Sequence, residues 1–332
     1  MEYRPLGQSD LSVSAVCLGG WSIVSEDFTW GHQETADSIA AVHASLDAGV
    51  NFFDTAEAYG GGESEEILAK ALGPRRKDVI IASKVSPDHL DERGLAESCE
   101  KSLRRLKTDY LDLYHVHWPS LTIPMSDIMP RLLKLRDAGK IRHIGVSNFG
   151  PEFLADAVAA GCVVSNQLPY SLLWRPVEFE IQPLCVEHKI GILCYSPLCQ
   201  GLLTGKFASP DDVPETRART RLFSSKRPHT RHGQAGCEDE TFAAVAAIRR
   251  ICQDARVPMG RAALAWLLAQ GAVASVVVGA RNTAQAADNA QAGDVKLPPE
   301  VIAALTAATE KVKQAMGANA DFWQAPSRMD KA

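Results

Sequence analysis

The stretch SAVCLGGWS, residues 14–22, carries an apolar run directly into Gly19-Gly20-Trp21-Ser22. An open, doubly wound nucleotide-binding sheet usually leaves its first strand through a G-x-G-x-x-G turn, and that turn is absent here. Upstream, YRPL, the polar GQSD and LSVS read as a hairpin. Downstream, β-like apolar runs start at Val50 (VNFFDT), Asp78 (DVIIASK), Tyr110 (YLDLYHVH), Arg142 (RHIGVSN), Cys162 (CVVSNQ), Ile190 (IGILCYS) and Ala274 (ASVVVGA). Most gaps between them hold one helix and two short loops, as parallel α/β units do. Helical periodicity marks ADSIAAVHASLDAG, ESEEILAKAL, LAESCEKSLRRL, MSDIMPRLLKLRDAG and TFAAVAAIRRICQDA, with Gly49 and Gly139 placed to end two of them. Eight such units close a parallel sheet on itself and remove its edges. The expected fold is therefore an α/β TIM (β/α)8 barrel, a single domain over residues 1–332, with an N-terminal β-hairpin and a long insertion after strand seven.

That insertion, about Gln200 to Asp239, lies in the 84-residue gap before the last strand. Between Arg217 and His232 it carries Arg217, Arg219, Arg221, Lys226, Arg227 and Arg231 and no acid. Two readings stand: solvated loop charge, or an anion clamp that is mobile alone and closes over bound phosphates. The surrounding protein is acidic, with 35 Lys+Arg against 40 Asp+Glu for a net charge of −5, so no global field recruits nucleic acid or anionic membrane. No apolar run reaches membrane-spanning length, and MEYRPLGQSD lacks a signal-peptide core, so a soluble cytoplasmic protein is expected. The eight cysteines show no zinc spacing and read as reduced, packed thiols.

Reactive side chains of such barrels collect at the carboxyl ends of the strands. Here strand two ends in Asp54 with Tyr59 five residues on, strand three in Lys84, strand four in His117, strand five in Ser147-Asn148, strand six in Asn166-Gln167, strand seven in Tyr195-Ser196, and strand eight in Gly279-Ala280-Arg281. An inward-facing lysine needs a partner, which Asp54 on the adjacent strand supplies. Tyrosine is a poor acid near neutrality unless a cation stabilises its phenolate, and Lys84 is that cation. With His117 bonding a substrate oxygen, the set reads as a general-acid site for a polarised carbonyl.

GVNFFDTAEAYGGGESE (49–65), IIASKV (80–85), DLYHVHWP (112–119), IRHIGVSNF (141–149), SNQLPYSLL (165–173) and YSPLCQGLLTGK (195–206) together resemble the successive signatures of the aldo-keto reductases, in order and over nearly the whole chain. The resemblance implies a hairpin-capped barrel that binds NADPH without a Rossmann domain and reduces an aldehyde or ketone. It implies Tyr59 as proton donor, Lys84 and Asp54 as the pair that tunes it, and His117 as the residue orienting the carbonyl. By the same resemblance Ser147, Asn148 and Gln167 hold the nicotinamide carboxamide, and Tyr195 stacks on its ring. Ser196, Leu198, Gly201 and Lys206 follow the pyrophosphate, Gly279 and Arg281 meet the 2′-phosphate, and Gln285 and Asn289 meet the adenine end. Ala280 and Asp288 depart from the residues many relatives carry there.

Trp21 and Trp118, with Trp30 and Phe322-Trp323 behind them, line either an apolar substrate mouth or plain core. GLLTGK has three residues between its glycines and Phe207 where a Walker A loop needs Ser or Thr, so no NTP site is expected. His115 and His117 share a strand face, but strands five and six lack the further histidines of a barrel metal site, so no metal is expected. Two rival functions fit the same motifs: a regulatory module like the cytoplasmic β subunits of potassium channels, and an NADP-dependent sugar or alcohol dehydrogenase. Oligomeric state is open.

Overall fold

The eight apolar runs close into one parallel barrel in the computed structural model, which describes residues 1–331. Ahead of it, β1 (Tyr3–Pro5) and β2 (Ser12–Ser14) form an antiparallel hairpin, Tyr3 opposite Ser14. The barrel strands are β3 (Val16–Gly19), β4 (Phe52–Asp54), β5 (Ile80–Val85), β6 (Leu111–Val116), β7 (Ile141–Ser147), β8 (Ser165–Pro169), β9 (Gly191–Tyr195) and β10 (Val273–Val278), each paired to the next, with β10 returning to β3. Intervening helices are α1 (Thr35–Asp47), α2 (Glu63–Leu72), α3 (Glu92–Leu106), α4 (Met125–Asp137), α5 (Pro151–Ala160), α6 (Ile181–Glu187), α7 (Glu238–Asp254), α8 (Met259–Leu268) and α9 (Thr283–Gln291), followed by α10 (Pro299–Ala308) and α11 (Glu310–Met316). Gly49 and Gly139 follow α1 and α4 at positive φ, the left-handed turn expected of them. Asp91 and Asn282 cap α3 and α9 by accepting from Gly94 N and Gln285 N.

Two apolar layers place the site. Strand and helix side chains fill the shell between barrel and helices, while a smaller cluster inside the barrel joins hairpin residues Leu6, Leu11 and Val13 to Cys17, Phe52, Ala82, Leu113, Leu193 and Ala274. The hairpin thus plugs the amino end of the barrel, leaving the carboxyl end as the open face. Gly145 is dictated from within: a Cβ there would stand 2.5 Å from the His115 ring and from Ser165 Oγ. Helix α8 escaped the periodicity reading because it is apolar all round, with eight of its ten residues buried. No helix among the described residues is long and apolar enough to cross a membrane.

The insertion departs from expectation. Inside the basic run Ala218, Leu222 and Phe223 are buried in the main core, contacts that a segment mobile on its own would not make. Arg221 is 3% exposed and donates to the carbonyls of Met316 and Asn319 and to the Gln234 side chain, tying the segment to the C-terminal tail. Arg227 pairs with Glu215 and Glu238, acids just outside the basic run. Two of the six cations are therefore structural, and the rest decide the anion question.

Candidate active site

Strand register brings the central residues together. Asp54 ends β4 and Lys84 lies on β5, and both are buried. Lys84 Nζ donates to Asp54 Oδ1 at 2.6 Å, to Thr55 O at 2.8 Å and to Tyr59 Oη at 3.1 Å. Gln167 on β8 donates to the other Asp54 oxygen at 2.8 Å, so the carboxylate is satisfied from two sides. Tyr59, on the turn after β4, meets the His117 ring edge-on with centroids 5.8 Å apart and stacks on Trp21 at 6.5 Å.

Electrostatics correct one expectation. Lys84 does pull the Tyr59 phenol downward, but burial outweighs it and the Asp54 charge opposes it, leaving the phenol above its ordinary value. The group is thus held protonated, ready to donate. Burial works against the Lys84 charge, but Asp54 and Tyr59 prevail and hold it above its usual value. Burial and the Lys84 charge push His117 down to about 3, so its imidazole is neutral across the physiological range. His115 is lowered in the same way, but its Nε2 bonds Ser165 Oγ inside the barrel and it belongs to the core. Among the described residues no group of three or more His, Cys, Asp or Glu side chains gathers as metal ligands.

These side chains form the floor of an elongated cavity of about 900 Å³, a volume suited to a cofactor with a small substrate. Lining it are Ser147, Asn148, Gln167, Tyr195, Ser196, Leu198, Gly201, Lys206, Gly279, Arg281, Gln285 and Asn289, with Trp21, Trp30, Trp118 and Trp323, whereas Lys84, Asn166 and Ala280 are buried behind it. Phe322 is core instead, 1% exposed against Trp174. The amides of Asn148 and Gln167 are partly engaged already: Asn148 donates to His117 O and accepts from Tyr195 Oη. Asn148, Ser196 and Gln200 adopt positive φ without being glycine, a strain that collects at this rim. Just past β10, a Cβ at Gly279 would stand 2.6 Å from Ser22 Oγ, so any larger residue would make that hydroxyl turn away.

Charge around the cavity is uneven. Its acids are spoken for, Asp54 by Lys84 and Asp288 by Arg261. Lys206, Arg217, Arg219, Arg231 and Arg281 line it with no carboxylate partner among the described residues. Arg281 is braced by the carbonyls of Trp30 and His32 and by Gln33. Arg217 lies over Trp30 at 4.9 Å. Burial, then the neighbouring positive charge, lowers Lys206 (beside Arg217) and Arg217 (beside Arg281). Of ten buried side-chain polar atoms without a partner among the described residues, five line this cavity: Ser22 Oγ, Trp30 Nε1, Gln200 Oε1, Arg217 Nε and Arg219 Nε. Four of the five atoms, all but Gln200 Oε1, can donate a hydrogen bond. Arg217, Arg219, Ser22 and Gln200 had no assigned position in the site from sequence, and only the unpaired charge of the 217–232 run pointed to the two arginines.

Comparison with known proteins agrees with this geometry. The model of the aldo/keto reductase family matches residues 15–310. Aldo-keto reductase YhdN of Bacillus subtilis is 40% identical over 216 residues, 62% of this chain and 65% of that protein. A probable voltage-gated potassium channel subunit beta of rice is 31% identical over 323 residues, covering 91% of this chain and 94% of its own length. The crystal structure of an aldo-keto reductase from Klebsiella pneumoniae in complex with NADPH superposes with a TM-score of 0.74 at 27% identity, covering 92% of this chain and 94% of that one.

Proposed function

The chain belongs to the aldo/keto reductase family, and we propose that it reduces an aldehyde or ketone with NADPH, Tyr59 delivering the proton. The observation that carries the reading is the Asp54–Lys84–Tyr59 chain of hydrogen bonds at the floor of a cavity whose far end is lined by unpaired cations. NADPH, when bound, supplies a hydride to the carbonyl carbon. Lys206, Arg217 and Arg281 suit its phosphates, since guanidinium groups grip phosphate bidentately. Gln285 and Asn289 suit the adenine end, Ser196, Leu198 and Gly201 the pyrophosphate, and Ser147, Asn148, Gln167 and Tyr195 the nicotinamide. The Klebsiella complex with NADPH supports that cofactor.

The chain's own residues handle the oxygen. Tyr59 Oη donates its proton as negative charge develops there, and Lys84, fixed by Asp54, steadies the phenolate that results. Neutral His117 bonds the same oxygen and sets its direction. Optical assay of NADPH consumption across sugars, dicarbonyls and aromatic aldehydes tests the reading, with NADP⁺ plus sugars or alcohols run in reverse for the dehydrogenase alternative. No consumption with any of them would leave the site to a regulatory role like that in the name of the rice relative. For the cofactor, Arg281→Ala is expected to weaken NADPH about tenfold or more and NADH little, because a charge-assisted contact is lost only with the 2′-phosphate. Equal weakening of both would remove Arg281 from that role.

A further inference from the structure

The five uncompensated cations fall into two groups, with Arg231 an electrostatic neighbour of Arg219. Lys206, Arg217 and Arg281 lie with Gln285 and Asn289, toward the end suited to adenosine phosphates. Arg219 lies elsewhere: its guanidinium is 5.9 Å from the ring centre of Trp21, the indole that stacks on Tyr59, and 4.8 Å from that of Trp323 and 5.8 Å from that of Phe28. Three aromatic rings flank it and leave it half-buried. Its one hydrogen-bond partner is Thr29 Oγ1 at 2.7 Å, and its Nε has none. Nearby Asp27 spends its oxygens on Trp21 Nε1 and on the backbone of Thr29 and Trp30. Arg328, by contrast, lies over Trp118 with its charge answered by Asp321. A half-buried guanidinium with one buried donor unpaired and no carboxylate in ion-pair contact is a ready place for an anionic group of a ligand.

We infer that the carbonyl substrate bears a carboxylate, which Arg219 receives at the aromatic mouth while its aldehyde or ketone reaches Tyr59 and His117. The inference rests on the reductase reading above. A planar carboxylate matches the free edge of one guanidinium, and Trp21 and Trp323 enclose a short apolar body between the two polar ends. Arg219 and Tyr59 both lean on the Trp21 indole, so a compact aldehyde carrying its acid at the far end is the form that both can engage at once. The reaction itself is unchanged: the carbonyl gains a hydride and a proton, NADPH becomes NADP⁺, and the carboxylate is a spectator.

The test compares 4-carboxybenzaldehyde with its neutral methyl ester, and succinic semialdehyde with butanal, under saturating NADPH. Wild-type kcat/KM is expected to favour each acid by about tenfold or more, mostly through KM. Arg219→Met is expected to bring the ratio near one, and Arg219→Lys to restore part of it. A ratio is unaffected by loss of folded protein, so a poorly folding variant does not obscure the result. Calorimetric binding of the product 4-(hydroxymethyl)benzoate should weaken by the same factor in Arg219→Met. Acid and neutral aldehydes reduced equally well by the wild type would overturn the inference and leave the reductase reading standing. A preference that survives Arg219→Met, or a matching loss of NADPH affinity measured by tryptophan fluorescence, would assign the cation elsewhere. No turnover of either aldehyde would sink both.

Discussion

At the scale of single residues the site turns on a buried ion pair with two further obligations. Lys84 holds Asp54 on one side and Tyr59 on the other, so removing it does more than silence a charge. Lys84→Met leaves the Asp54 carboxylate buried with only Gln167, and a loss of about 3–5 kcal/mol in urea unfolding is expected. Adding Asp54→Asn should recover part of that loss, whereas a double variant as unstable as the sum of both singles would show that the pair is not coupled. Tyr59→Phe is the complementary change. It deletes the proton and keeps the ring against Trp21, so turnover should fall about 10²–10⁴-fold with NADPH affinity nearly unchanged. A Phe variant that keeps a tenth of wild-type turnover would dismiss Tyr59 as the acid.

Among the elements, the segment between β9 and α7 shows how a charge run can mislead. Read alone it is a self-repelling stretch, but folding gives its cations different tasks. Arg227 joins the acids that flank the run, Arg221 clasps the C-terminal tail, and Arg217 and Arg219 face the cavity. Arg221→Met would strand buried carbonyls of Met316 and Asp321, at a cost of about 1–3 kcal/mol each. Trypsin should then cut between Arg217 and Arg231 faster than in the wild type. Saturating NADPH should slow that cutting in the wild type, because Arg217 lies on the cavity proposed for the cofactor. Equal rates with and without NADPH would mean that the segment's cations do not meet it.

For the whole molecule, closing the barrel buries two histidines beside Lys84, and this ties stability to pH. His115 stays neutral in the folded protein because burial and the Lys84 charge lower its pKa, whereas in the unfolded chain it takes a proton below about 6.5. The unfolded state therefore binds more protons below that pH, and stability falls as pH drops. At pH 5 the loss is about 2 kcal/mol for such a histidine. Urea unfolding at pH 7 and 5 reads it, and His115→Gln should flatten the slope; a slope unchanged by the substitution would refute the assignment. The barrel, the hairpin, all eight strands and the strand-end positions of Asp54, Lys84 and His117, with Tyr59 just beyond, were legible in the order of residues, since strand alternation and strand ends are local properties that position in the chain records. That order left α8 unseen, because a helix buried on every side carries no stripe, and it misjudged the phenol's balance, because burial is not written in a motif. Which arginines are structural and which face the cavity unpaired emerges only when the chain is folded. Pairing depends on what the closed barrel brings within a few ångströms, and residues 100 apart, such as Arg221 and Asp321, become neighbours only through the fold.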